Sequence, residues 1–242
     1  MLKKLLVSTL LIIGTLGNVQ AASVHRIPTP ANPQGAASSP QEINHKNSIY
    51  FTQPDFFKMK NNSHLTILTQ YPTYQQTTEE TCGPAAALTV LHYLGDVQYT
   101  EADLAKGMKT QPYPVGTSTA NMVNFFAQKD YKVDSSLTNK EKFSDYETFQ
   151  KFVLTKLQAK TPILVENIEW GGHWRVIIGY DTMGTTSTLD DTIIMAEPYD
   201  TSDHCQDGYV VNNGERFYAM WFDEPSGRQE PSLKHIWITV KK

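Results

Sequence analysis

A thiol is a useful nucleophile only where its thiolate is stabilised, and position 82 offers the means. Cys82 is followed by Gly83-Pro84, then by an apolar stretch that runs through Leu94 and closes at Gly95. Proline at the start and glycine just past the end mark a helix. Ala85, Ala86, Ala87, Leu88, Val90, Leu91 and Leu94 make that helix apolar almost all round, so it belongs in the centre of a domain. Cys82 then faces the positive end of the helix dipole, where a thiolate is favoured. Pro84 disfavours a helical Gly83, so the regular helix is expected to begin at Pro84 with Cys82 just outside. Gly83 reads as room for a substrate to approach the backbone. The competing reading makes Cys82 a structural cysteine, or half of a disulfide with Cys205, the only other cysteine.

Acyl transfer through a thiolate builds a negative oxygen that needs donors aimed at it. Gln76, six residues before the cysteine, could supply a side-chain amide. Gln75 stands beside it, and the sequence does not separate the two. A general base must lie within hydrogen-bond reach of the thiol. The chain has seven histidines. His25 and His45 fall in an N-terminal tail, and His92 is about 15 Å along the same helix. His235 reads as an ordinary residue at the start of a strand. His173 follows Gly171-Gly172 and begins a strand beside Trp174, which could shield the site from water. His173 is therefore the expected base, with His204 next. An orienting acid is expected after the run Ile193–Ala196: Glu197 at the strand end before Pro198, or Asp200 three residues on.

Asp203-His204-Cys205-Gln206-Asp207-Gly208 has part of the spacing of a calcium loop, but cysteine holds the third position and Gly214 the twelfth. An acidic turn fits better, and no metal or other cofactor is expected. The composition is that of an ordinary globular protein, and its charge balance argues against a nucleic-acid partner: 40% hydrophobic, 21 Lys plus Arg against 25 Asp plus Glu, net charge −4.

Residues 1–21 read as a secretory signal peptide. Lys3 and Lys4 precede an apolar run from Leu5 to Leu16, and Val19 and Ala21 supply the small residues for cleavage. The run is too short to span a bilayer. The mature chain is expected in the periplasm or outside the cell, without a membrane anchor and as a monomer. Residues 22–47, rich in Pro, Ala and Ser, are expected to form a tail without order. Residues 48–242 are expected to form one domain.

These residues need a frame that brings positions 76, 82, 173 and 197 together. Short strands are expected at Ile49–Thr52 and Leu65–Thr69, and helices over 82–94, over 100–108 behind a Thr100/Asp103 capping box, and over 118–129. A fourth helix is expected over 144–159, capped by Ser144 with Glu147. Strands follow at Ile163–Ile168, at His173–Tyr180 after a Gly171-Gly172 hairpin turn, at Ile193–Ala196 and at His235–Val240. Arg216–Phe222 is ambiguous. Helices first and an antiparallel sheet after is the α+β order.

Gln76 with Cys82-Gly83-Pro84-Ala85-Ala86, then Gly172-His173-Trp174 running to Tyr180-Asp181, then a strand ending in an acid and proline, resembles family thirty-nine of the cysteine peptidases. These are the double-glycine-leader peptidases and their stand-alone relatives in the papain-like superfamily. The resemblance spans about residues 65–240. It implies a papain-like fold, with Cys82 as nucleophile, Gln76 in the oxyanion hole and His173 as base. The family's third residue is usually Asp before Pro, whereas this chain has Glu197-Pro198. The expected activity is hydrolysis of a peptide or amide bond in a peptide or protein substrate. The alternatives are amide transfer on the same fold, and a non-catalytic peptide-binding or calcium-stabilised module with a Cys82–Cys205 disulfide.

Overall fold

The structure, a computed structural model, describes residues 26–31, 33–38, 48–50, 54–139, 143–223 and 234–242. The expected signal segment 1–21 lies outside these residues. The centre of the fold is helix α1, Cys82–Tyr93, buried from Cys82 through Leu91. Its alanines bring it close to the sheet, where it packs on strand β4, His173–Asp181, and beside helix α2, Glu101–Gly107. Every residue of β4 except Asp181 is buried, as a strand covered on both faces requires.

Among the described residues the sheet is antiparallel, with seven strands. Its order is β2 (Lys132–Ser135), β7 (Ile236–Lys241), β3 (Ile163–Asn167), β4, β5 (Thr192–Ala196) and β6 (Tyr209–Asn213). Strand β1, Leu65–Ile67, pairs with the far end of β4, from Gly179 to Asp181. Helices α3 (Thr119–Ala127) and α4 (Tyr146–Gln158) precede most of the strands, and a short α5, Gly214–Met220, follows β6. The α+β order read from the sequence is the order found.

Several local expectations are corrected. Cys82 is the first residue of α1 rather than a residue outside it, because Ala85 N bonds Thr81 O at 2.9 Å and closes the first turn around Gly83. Gly83 is not room for substrate. A Cβ there would lie 2.9 Å from Thr117 Cβ and 3.1 Å from Met122 Cε, so its space is filled by the protein. Helix α4 is capped by Asp145, whose side chain accepts from Thr148 N at 2.8 Å, not by Ser144. The Thr100/Asp103 capping box forms as expected. Between β3 and β4 the chain makes a 3-10 turn, Glu169–Gly171, instead of a two-residue hairpin, with Trp170, Gly171 and Gly172 all at positive φ.

Strands β2 and β6 have no counterpart in the sequence reading. Lys132-Val133-Asp134-Ser135 carries mostly polar residues because it sits at the sheet edge, paired only with β7. The ambiguous 216–222 segment is mostly helix, with Asn213 capping it through Arg216 N. Ile49 and Tyr50 lie in a bend rather than a strand, and 51–53 lie outside the described residues. Within 22–47, expected to lack order, the described residues lie along segment 73–77. Ile27 N bonds Thr73 O at 2.9 Å, Gln34 N bonds Thr77 O at 2.8 Å and Ala37 N bonds Gln76 O at 3.0 Å.

Gly208 links this frame to the site. It sits at φ +83°, and a Cβ there would fall 2.5 Å from Thr73 Cβ. Gly208→Ala is expected to cost about 3 kcal/mol, from the left-handed backbone and the overlap together. The shift in urea midpoint measures it, and a loss below about 1 kcal/mol would show that the 73 and 208 segments separate freely.

Candidate active site

Cys82, His173 and Glu197 come from three elements and meet beside a cavity of about 160 Å³. The start of α1 brings Cys82 and the start of β4 brings His173. Glu197 follows the last residue of β5, which pairs with β4 in the register Val176–Ala196. The strand-end carboxylate therefore sits next to the strand that carries the imidazole. His173 Nε2 hydrogen-bonds Glu197 Oε1, and the Cys82 thiol hydrogen-bonds the same imidazole. With Nε2 engaged by the acid, Nδ1 is the nitrogen left for sulfur.

Burial by itself would push the imidazole below its ordinary 6.5. The Glu197 carboxylate and then the thiol outweigh it and hold His173 up to about 10. Burial opposes the charge on Glu197 as well. His173 first, then Arg175 and the Tyr199 backbone N–H at 2.9 Å, hold that carboxyl below its ordinary range. Arg175 lies two residues along β4. Its Nη1 is 2.8 Å from Glu169 and 3.5 Å from Glu197, and its guanidinium lies over the Phe217 ring.

The two glutamines separate. Gln75 Nε2 donates to Glu197 O at 2.8 Å and its Oε1 accepts from Asp200 N at 3.1 Å, so it holds the acid-bearing loop. Gln76 lines the cavity with Cys82. Its Nε2 donates to Thr78 O at 2.9 Å and to Glu79 O at 3.0 Å. Flipping the amide would face its oxygen against two carbonyls, so this orientation is the favourable one. Both of its hydrogens are thus engaged, and donation to an oxyanion requires one to be released. Asp200 turns away from the imidazole and accepts from Gly208 N at 2.8 Å.

Cys205 is not bridged to Cys82, and both thiols are free. Burial, then Asp207, Asp203 and Asp200, push the Cys205 thiol up to about 12. Among the described residues no group of three or more His, Cys, Asp or Glu side chains is placed to hold a metal ion. Arg26, from the N-terminal segment, lies in the field of Asp200 and Asp207 and donates to Gln206 O at 3.0 Å. Trp174 is fully buried, and its indole donates to Thr117 O at 2.9 Å, tying the base-bearing strand to the loop that walls the cavity. Sequence reasoning missed Arg175. Its signal is a lone arginine inside an apolar strand, which must find a buried acid.

The buried pair makes stability depend on pH in a defined way. The contribution of His173, whose value is raised, is complete below about 6.5 and is lost as pH rises through about 10. The contribution of Glu197, whose value is lowered, is present above its ordinary 4.5 and is lost on acidification below it. Glu197→Gln is expected to cost about 3 kcal/mol near neutral pH. In urea titrations across pH, the gap from wild type should shrink above about pH 10. A gap that stays constant to pH 11 would mean that no charged pair is buried here.

No curated protein matches the sequence. Solved structures do match. A protein of Bacillus anthracis described as a C39-like peptidase is 16% identical, covers 74% of this chain and 98% of its own, and gives a TM-score of 0.52. The peptidase domain of Streptococcus ComA, a bi-functional ABC transporter involved in a quorum-sensing pathway, is 19% identical over 70% and 97%, with a TM-score of 0.47. At these identities the B. anthracis structure shows a shared fold, the C39 papain-like one. The model of the Peptidase_C39 like family matches residues 68–221, more than half of the chain, and takes in the cysteine, the histidine and the strand-end acid. By that match, the chain belongs to the Peptidase_C39 like family.

Proposed function

We propose that the protein is an exported cysteine peptidase that cuts a peptide or amide bond through an acyl-thioenzyme. Cys82 is the nucleophile, His173 the general base and acid, Glu197 the orienting carboxylate and Gln76 an oxyanion donor. The observation that supports this reading best is the continuous line from the Cys82 thiol through the imidazole to Glu197, with Arg175 behind it. Family membership points the same way.

Each group has a task. The imidazolium places a positive charge against the sulfur, which also stands at the N-terminus of a 12-residue helix. The thiolate attacks the carbonyl carbon, and the carbonyl electron pair moves onto oxygen. The Cys82 backbone N–H and Gln76, once it gives up a carbonyl, can donate to that oxygen. Nδ1 passes its proton to the leaving amine as the C–N bond breaks. The neutral imidazole then takes a proton from water, which attacks the thioester and releases the acid and the thiol. Glu197 fixes the tautomer throughout by holding Nε2–H.

The tests use the chain as exported, whose mature start at Ala22 is read by mass of the secreted product. Cys82→Ala should lose at least about a thousandfold in hydrolysis, and all labelling by iodoacetamide at this position, while keeping its fold. Full activity in that variant overturns the enzymatic reading. His173→Ala should slow alkylation of Cys82 by iodoacetamide at neutral pH by at least about tenfold, because the base that takes the thiol proton is gone. Glu197→Gln should fall below wild type yet stay above Cys82→Ala, with Glu197→Asp retaining more. If Asp200→Asn is the crippling change and Glu197→Gln is silent, the orienting role belongs elsewhere.

A further inference from the structure

We infer that the cavity beside Cys82 receives a cationic group of the substrate, an ammonium or guanidinium, and that Glu166 is the residue that selects it. The inference rests on Cys82 being the nucleophile and adds the substrate class. The cavity walls include Glu79, Glu80 and Glu166 and, among the described residues, no Lys or Arg; the positive group that faces these acids is His173. Gln76 adds a buried Oε1 that has no hydrogen-bond partner among the described residues. The wall thus presents acceptors in excess of donors. Exposed Trp170 and Tyr113 flank the opening, with Tyr199 packed on Trp170 at 5.6 Å between ring centroids. Aromatic faces beside carboxylates suit a cation and offer little to an anion.

Glu166 is the residue that a purely structural account leaves unexplained. It lies on β3 between the buried Val165 and Asn167, in register with Trp174, one residue past His173. Asp223 stands beside it, both carboxylates abutting the space over Gly172, where a Cβ would meet Asp223 Oδ1 at 2.7 Å and Glu166 Oε1 at 3.7 Å. Burial, then Asp223, then Cys82 push the Glu166 carboxyl well above its ordinary range, against a smaller opposing pull from His173. A carboxylate here therefore opposes its acidic neighbour and the thiolate that the reaction needs. A glutamine would fill the same space without that opposition. The arrangement becomes favourable when a cation enters, replaces the proton on Glu166 and pairs with its carboxylate.

The test compares alkylation of the wild-type full mature chain by 2-bromoethylammonium and by 2-bromoethanol, which match in size and differ in charge. Reaction at Cys82 is mapped by mass. The ratio of the two rates is divided by the same ratio for N-acetylcysteine. Wild type should favour the cation by at least about tenfold, as an ion pair in a partly shielded site allows. Glu166→Gln should bring this below about threefold while the neutral reagent's rate does not fall. An unchanged preference in Glu166→Gln, or no preference in wild type, overturns the inference while leaving Cys82 as nucleophile. A parallel fall for both reagents assigns Glu166 to the fold and overturns it too. Failure of both reagents to react at Cys82 overturns the nucleophile reading itself, a separate result.

Discussion

The constraint on which the site depends is a run of charges with almost no water around them. Arg175, His173 and Glu197 are 2%, 3% and 5% exposed. Each charge would be costly there by itself, and only mutual pairing makes the group tolerable. That requirement fixes geometry. Histidine and arginine two apart on β4 point to the same face, and the β4–β5 register sets the residue after Ala196 against them. A slip of one residue in that pairing would turn the carboxylate to the other face and leave a buried imidazolium and guanidinium unmatched. The apolar pairs Ile177 with Met195 and Tyr180 with Ile193, on either side of a bulge at Ile178, are what make such a slip expensive.

Glutamate in place of the shorter acid brings one more methylene to be accommodated, and the structure shows how. Glu197 Oε1 meets the imidazole and also accepts from Tyr199 N, so the side chain is folded back over its own loop. Gln75 holds that loop by both ends, at the Glu197 carbonyl and the Asp200 amide. Pro198 accepts from Gln76 N at 2.9 Å, so the glutamine in the cavity wall and the acid are fastened to the same few residues. Asp200, the rival acid, is used to brace Gly208 within this loop. The adjacent glutamines have different tasks because the extended segment sends one side chain to each face.

The parts of the fold legible in the sequence are those where one physical signal dominates. Helix α1 announces itself through its apolar run, proline and glycine, and β4 through an unbroken buried stretch. The Thr100/Asp103 cap is a purely local motif and forms as read. What stayed hidden depends on partners distant in sequence. Strand β2 is polar because it has a neighbour on one side only, and Lys132-Val133-Asp134-Ser135 cannot show that β7 is that neighbour. At the 3-10 turn Glu169 pairs with Arg175 at 2.8 Å, a contact that no dipeptide rule contains. The candidate cysteine, histidine and acid could be read because each sits at an element terminus with a recognisable local signal. Glu166 could not, and Arg175 is signalled only as a lone charge in an apolar strand, whose partner the sequence does not name.

The two cysteines show how far surroundings decide chemistry within one chain. Cys205 is partly accessible and would pass for the reactive thiol on exposure alone. Yet burial, then Asp207, Asp203 and Asp200, oppose a negative charge there, so it remains a thiol through the whole physiological range. Cys82 is more buried, at 8% exposure, and has the imidazolium and the helix start to hold a negative charge. The same acid chemistry recurs in the cavity, where Glu166 bears on Cys82 from the side opposite in sign to His173. Glu166 opposes charge on that sulfur only to the extent that it has itself lost its proton, which burial and Asp223 resist. The two thiols therefore differ through the groups set around them and not through how far each is exposed.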